Sequence, residues 1–145
     1  MAYSGRYKVK NPKKYEGDFK NVKYRSLWER QAFKWLDSNP DIIGWNSEEV
    51  VIPYRCKTDN KIHRYFVDLF VRTKDSVYII EIKPKKQTQP PKQPSRKTKR
   101  YLTEVMTYIK NESKWEAAKA FAYKHDMIFE IWTEETLRSF GIKIL

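Results

Sequence analysis

Four ionisable residues stand where apolar side chains are expected. Glu29 follows Ser26-Leu27-Trp28, and its neighbours at i+3, i+4 and i+7 are Ala32, Phe33 and Leu36. On a helix that spacing lays the carboxylate along an apolar stripe. Asp68 interrupts the run Tyr65-Phe66-Val67-Asp68-Leu69-Phe70-Val71 and, at the strand period of two, shares a face with Phe66 and Phe70. Glu81 and Lys83 share one face of Val77-Tyr78-Ile79-Ile80-Glu81-Ile82-Lys83. Acids are depleted from strand interiors, and buried carboxylates persist when they are paired or bind a metal.

The spacing predicts where these groups meet. Thr73-Lys74-Asp75-Ser76 joins the two apolar runs as the turn of a β-hairpin. If those four residues form the connection, Arg72 pairs with Val77, and counting outward puts Asp68 opposite Glu81. Facing carboxylates repel and raise one another's pKa unless a cation lies between them. Lys83 supplies one positive charge; a hard divalent cation with oxygen ligands supplies more. The plain alternatives are a buried acid–lysine ion pair without metal, and a Glu29 that serves only as the third member of a capping box. A slip of one residue in register would separate the two acids.

The elements that must position this set read as follows. Residues 1–24 lack periodicity and are expected to form an irregular basic arm. Ser26-Leu27-Trp28-Glu29 has the form of a capping box, and Trp28, Ala32, Trp35 and Leu36 continue a helix that should stop before Pro40. A short strand covers 49–54, with Pro53 suiting an edge. The hairpin strands cover 62–72 and 77–83. A helix covers 97–125, interrupted near Asn111-Glu112-Ser113, where Ser113 would cap a second segment. A strand at 127–132 and a short helix opened by Thr133-Glu134-Glu135 complete the chain. This order predicts one α/β domain over 1–145, a mixed β-sheet flanked by helices.

Charge narrows the partner. The chain has 145 residues, 30 Lys or Arg against 18 Asp or Glu, and a net charge of +12. Such a balance in one domain points to a polyanion, most often nucleic acid. Hydrophobic content of 40% and aromatic content of 15% exclude a disordered chain. One cysteine, Cys56, and two histidines, His63 and His125, exclude a disulfide framework and a Cys/His zinc site. Cys56 and His63 carry no partner pattern and are expected to be structural. No apolar run approaches the ~20 residues of a membrane span, and no apolar core follows the N-terminal basic residues, so an intracellular location is expected. Basic residues concentrate in 1–25 and in 83–100; the second stretch holds no acid and includes Pro84, Pro90, Pro91 and Pro94. We read 84–96 as an extended basic loop. Lys85, Lys86, Lys92, Arg96 and Lys97, together with Arg25, are the candidate DNA contacts, the alternative being a solvated linker.

Glu29, Asp68 and the Glu81-Ile82-Lys83 tripeptide together resemble the PD-(D/E)xK nuclease superfamily. The element order is similar to its restriction-endonuclease-like αβββαβ core from about residue 24 to 132. Within it, Tyr24-Arg25-Ser26-Leu27-Trp28-Glu29, Arg64-Tyr65-Phe66-Val67-Asp68 and Ile80-Glu81-Ile82-Lys83-Pro84 resemble the TnsA-like branch. Met1-Ala2-Tyr3-Ser4-Gly5, Tyr24-Arg25-Ser26 and Glu81-Ile82-Lys83-Pro84-Lys85-Lys86-Gln87-Thr88-Gln89-Pro90-Pro91 resemble the head completion nucleases of large contractile-tailed phages, over the full length. Val67 stands where the superfamily's name pattern has proline.

The resemblance implies metal-dependent hydrolysis of DNA phosphodiester bonds, with Mg²⁺ as the ion and Mn²⁺ as the alternative. Asp68, Glu81, the Ile82 carbonyl and Glu29 would serve the metal. Lys83 would orient water or stabilise charge on phosphorus, completing the catalytic set Glu29, Asp68, Glu81 and Lys83. It also implies action in phage head completion after DNA packaging, in the host-cell cytoplasm and on the virion. DNA and portal or head-vertex proteins are the implied partners, with no membrane and no small-molecule cofactor. No recognition-helix signature is present, so structure-selective or non-specific cutting is expected. Two other readings compete: a non-catalytic basic plug that binds DNA at the phage head, and a TnsA-like transposition endonuclease. The second usually carries a further C-terminal helical domain, which is not expected here, where Leu145 follows soon after the last strand.

Overall fold

The computed structural model describes residues 3–144; Met1 and Ala2 of the N-terminal motif, and Leu145, lie outside the described residues. Ser26 sits in extended backbone and its hydroxyl accepts from the Glu29 N–H, which starts α1 (Leu27–Ser38). Asn39 and Pro40 end it, as the residue before a proline disfavours helix. Ala32, Phe33 and Leu36 are fully buried, so α1 presents one apolar face.

That face lies on a four-stranded sheet of order β3-β6-β7-β8. Its strands are β3 (Ile42–Asn46), β6 (Leu69–Thr73), β7 (Val77–Ile82) and β8 (Ile128–Trp132). β3, β6 and β7 run antiparallel; β8 joins β7 in parallel after α2 (Lys99–Lys124). The chain thus follows α1-β3-β6-β7-α2-β8, the αβββαβ order that was expected. Its first strand is not the expected one. The segment expected as strand 49–54 forms β4 (Val51–Cys56), which pairs with β5 (Lys61–Phe66) in a separate two-stranded sheet. Pro53 tolerates its place there because β4 pairs on one side only, with β5.

The expected strand 62–72 is therefore two strands in two sheets. The chain leaves one ladder at Phe66 and enters the other at Leu69, so Val67 and Asp68 form a corner. The corner is braced from outside: the Val67 N–H donates to the Val50 carbonyl and the Glu48 N–H to the Val67 carbonyl, each at 3.0 Å. Phe66, once expected to share a face with Asp68, is 45% exposed on the other side of this corner.

Alternation along the strands divides the core between the two helices. Leu69, Val71, Ile80 and Trp132 pack with Phe33 and Leu36 of α1. Phe70 and Ile79 pack with Ala118 and Ala122 of α2, and with Ile52 and Tyr54 of the hairpin. The expected interruption of α2 is absent. Ser113 does not cap a helix: its hydroxyl donates to the Ile109 carbonyl at 3.0 Å and accepts from the Lys57 N–H at 3.2 Å, tying an unbroken helix to the hairpin. No helix among the described residues is long and apolar enough to cross a membrane.

Residues before α1 have little regular structure beyond the two-residue strands β1 (Gly5–Arg6) and β2 (Lys23–Tyr24). They nevertheless pack into the core through Tyr7, Val9, Tyr15 and Val22. Asp37 of α1, 1% exposed, pins them. It accepts from the Tyr7 hydroxyl at 2.8 Å, the Lys10 N–H at 2.7 Å and the Asn11 N–H at 3.1 Å. A short helix, α3 (Glu134–Ser139), follows β8 and buries Leu137.

Candidate active site

The β6–β7 register pairs Arg72 with Val77 and Leu69 with Ile80, as the turn length predicts. Continued by one residue, it sets Asp68 beside Glu81. The Ile82 N–H donates to Asp68 Oδ2 at 2.8 Å, which fixes the carboxylate at the sheet margin. Glu81 is 5% exposed and points toward α2, where Trp115 Nε1 donates to its Oε2 at 2.7 Å. Asp68 remains partly exposed. Burial, and then the facing Glu81, push the Asp68 carboxyl well above the usual carboxylate range; the Ile82 N–H pulls the other way. Among the described residues neither acid has a salt-bridge partner.

Glu29 reaches this region from the first turn of α1. Its Oε2 accepts from the Arg25 N–H at 3.2 Å, while its own N–H is bound by Ser26 Oγ at 3.2 Å. Burial raises its pKa, the Arg25 N–H opposes that, and the Glu48 charge adds to it. The side-chain bonds of Glu29 are made to Arg25 and Ser26, and its charge is the least of the influences that raise the Asp68 pKa. The three acids do not close on one point: among the described residues no three His, Cys, Asp or Glu side chains form a group that could hold a metal ion unaided.

Lys83 continues β7 by one bond, its N–H donating to the Trp132 carbonyl at 3.0 Å, and it shares the Glu81 face. Three residues were not singled out from the sequence. Lys114, half-buried on α2, places Nζ 5.6 Å from the centre of the Tyr65 ring. Burial lowers its pKa; Glu81 and Asp68 oppose this, while Lys110 and Lys83 add to it. Tyr65 is 3% exposed, and its hydroxyl is buried without a hydrogen-bond partner among the described residues. Burial, Glu81 and Asp68, in that order, push that phenol far above its ordinary range. Trp115 reads from sequence as a core residue, and it is one, but its indole N–H serves the acid.

Of the expected DNA contacts, Arg25 lies at the site. Its Nε donates to Glu48 Oε1 at 2.7 Å and its Nη2 to Glu48 Oε2 at 3.2 Å. Lys85 is engaged elsewhere: its N–H donates to Glu134 Oε1 at 2.7 Å and its Nζ to Glu135 Oε1 at 3.0 Å. Lys86, Lys92, Arg96 and Lys97 are exposed on the segment that leads away from Lys83.

This donor set fits a hard divalent ion. Two carboxylates face one another with no salt-bridge partner among the described residues. Mg²⁺ is commonly held by one or two carboxylates, the remaining positions going to water and substrate phosphate, so a pair suffices where a cage of three would not be expected.

Residues 39–134 match the family described as TnsA-like endonuclease N terminal. The head completion nuclease of Enterobacteria phage T4 is 47% identical over 148 residues, which covers 99% of this chain and 99% of that protein. No solved structure matches the chain.

Proposed function

The chain belongs to the TnsA-like endonuclease family, and we propose that it hydrolyses phosphodiester bonds of DNA with a divalent cation, Mg²⁺ foremost and Mn²⁺ as the alternative. The observation that carries this reading is the facing Asp68–Glu81 pair, close-packed and without a cationic partner among the described residues. Asp68, Glu81 and the Ile82 carbonyl would hold the ion, and Glu29 would act on it from α1 through bound water. Bound there, a divalent ion would polarise a phosphate oxygen and make water a better nucleophile at neutral pH. Trp115 keeps Glu81 oriented, and the Ile82 N–H keeps Asp68 oriented. The Lys83 ammonium lies on the Glu81 face, where it orients the attacking water or offsets charge that develops on the phosphoryl oxygens.

Arg25 and the basic segment 86–97 bind phosphates, which gives affinity with little sequence preference. Because the T4 relative is a head completion nuclease, we place this protein in the same step, acting on packaged heads in the host cytoplasm and on the virion, with portal or head-vertex proteins as partners. A plug that merely binds DNA has no use for a desolvated Asp68 facing a buried Glu81, neither with a salt-bridge partner among the described residues.

The test is cleavage of supercoiled and linear DNA with Mg²⁺, with Mn²⁺ or with EDTA. Cutting with either metal and none in EDTA is expected. Asp68→Asn and Glu81→Gln should still bind DNA and fail to cut. Cleavage in EDTA, or wild-type cleavage by either variant, overturns the assignment.

A further inference from the structure

Glu48 adopts a left-handed backbone, φ 57°, which glutamate rarely takes. The conformation is held from both sides of the Asp68 corner: the Glu48 N–H donates to the Val67 carbonyl, and the Val67 N–H to the Val50 carbonyl. The position of Glu48 is thereby fixed, through backbone, to the residue before Asp68. Its carboxylate takes Arg25 in a two-pronged grip, Nε to Oε1 and Nη2 to Oε2. The Arg25 main-chain N–H is bound in turn to Glu29 Oε2.

We propose that Glu48 is a positioning residue that holds the Arg25 guanidinium beside the acid site, ready to clamp a DNA phosphate. The inference rests on the nuclease reading above. Two of the five guanidinium N–H groups go to Glu48; the Arg25 side chain is 64% exposed, so the others face outward. The planar fork suits a phosphate in two-pronged contact, and orientation before binding removes the entropy of finding it. Stability does not explain the arrangement. An exposed ion pair contributes little to folding, and the left-handed backbone opposes it.

The experiment compares Arg25→Ala, Glu48→Asn and the double variant in single-turnover cleavage with Mg²⁺, beside DNA binding in EDTA across a range of salt. Asparagine tolerates the left-handed region, so Glu48→Asn removes the grip and spares the backbone. Arg25→Ala should lose about 100-fold in rate and lower the salt slope of log K by about 0.9. Glu48→Asn keeps the Arg25 charge and hence the salt slope, yet should lose about 10-fold in rate. The double variant should cut no more slowly than Arg25→Ala at a pH where Glu29 is ionised, because the effect of Glu48 on the rate there runs through Arg25, its influence on Glu29 being confined to that group's titration. Should the asparagine variant melt below wild type, Glu48→Gln, which keeps the side-chain length, should show the same rate loss. Wild-type or faster cleavage by the Glu48 variants, or a double variant slower by the product of the single losses, overturns the proposal. A wild-type protein that leaves DNA intact overturns the nuclease reading itself, before any variant is compared.

Discussion

Asp68→Asn should make the metal-free protein more stable while abolishing its activity. The substituted amide keeps an oxygen to accept the Ile82 N–H, and the Trp115 bond to Glu81 is untouched. What disappears is the cost of setting the Asp68 carboxyl against Glu81, met either as repulsion or as uptake of a proton, and about 1 kcal/mol is the upper range for facing like charges in a strand pair. For a chain of this size, 1 kcal/mol moves Tm by roughly 2–4 °C. In EDTA at neutral pH the variant should therefore melt up to ~4 °C above wild type. Mg²⁺ should reverse the order. At 100 times its Kd an ion that binds only the folded state adds about 2.7 kcal/mol, or roughly 5–10 °C, to wild type and little to the variant. The pH dependence has a definite sign. A raised Asp68 pKa means that the folded chain retains a proton which the unfolded chain has released. Metal-free stability falls as pH rises above the ordinary carboxylate range and through the raised value, and Asp68→Asn flattens that fall. Thermal melting in EDTA and in Mg²⁺, repeated from pH 4 to pH 9, reads all of this. A variant that melts below wild type in EDTA, or that Mg²⁺ stabilises as much as wild type, refutes the reasoning.

Lys83→Met should change melting in Mg²⁺ little and slow single-turnover cleavage by roughly 10²–10⁴-fold; Lys83→Arg should not restore it, since a planar guanidinium cannot replace a compact ammonium. A large melting loss that Mg²⁺ fails to restore, with near-normal cleavage by the folded fraction, would show Lys83 to be an ion-pair partner only. Neutralising Lys86, Lys92, Arg96 and Lys97 together should lower the salt slope of DNA binding by about 0.9 for each phosphate that no longer meets a positive charge; an unchanged slope would make that segment a solvated linker. Asp37→Ala leaves the Tyr7 hydroxyl and two main-chain N–H groups without their acceptor, each worth about 1–3 kcal/mol when buried. It should lower Tm markedly and speed hydrogen exchange at residues 7–11, and unchanged exchange there would contradict the pinning role.

The legible features were local ones. The Ser26 cap fixed the start of α1 within the four residues Ser26-Leu27-Trp28-Glu29, although the Glu29 carboxylate takes the Arg25 N–H instead of closing the box on the Ser26 N–H, and a four-residue turn fixed the β6–β7 register, which put Asp68 beside Glu81 before any tertiary contact was considered. The Val67–Asp68 corner was not legible, because apolar alternation runs through it with no Gly or Pro to mark a break. β3 escaped for the opposite reason. Four of its five residues are buried, including Gly44 and Asn46, so it shows neither clean alternation nor an uninterrupted apolar run. Ser113 sent a true signal with two meanings: the hydroxyl that could cap a new helix instead bonds back within the existing one. Trp115 and Lys114 lie 34 and 33 residues beyond Glu81, and helical periodicity says only that one is apolar and the other basic. Their approach to Glu81 depends on how α2 crosses the sheet, which no window of sequence contains.

The pinned N-terminal segment has a bearing on how copies of the chain behave toward one another. β3 is an outer strand of the main sheet, and Tyr15 bridges to Trp45 alongside it. The Glu16 N–H donates to the Trp45 carbonyl at 2.8 Å, and Asn46 Nδ2 donates to the Glu16 carbonyl at 3.0 Å. The segment thus occupies hydrogen-bonding positions that an outer strand otherwise offers to any passing chain. Beneath it lies Ile42-Ile43-Gly44-Trp45, apolar and bulged between Ile42 and Gly44, with Ile43 already 55% exposed. Gly44 leaves room for the Glu16 carboxylate, which lies where a Cβ would stand and bonds Arg72 from there. Loss of residues up to 22 would strip this guard and leave a sticky rim, and the shortened chains would stack edge to edge into oligomers.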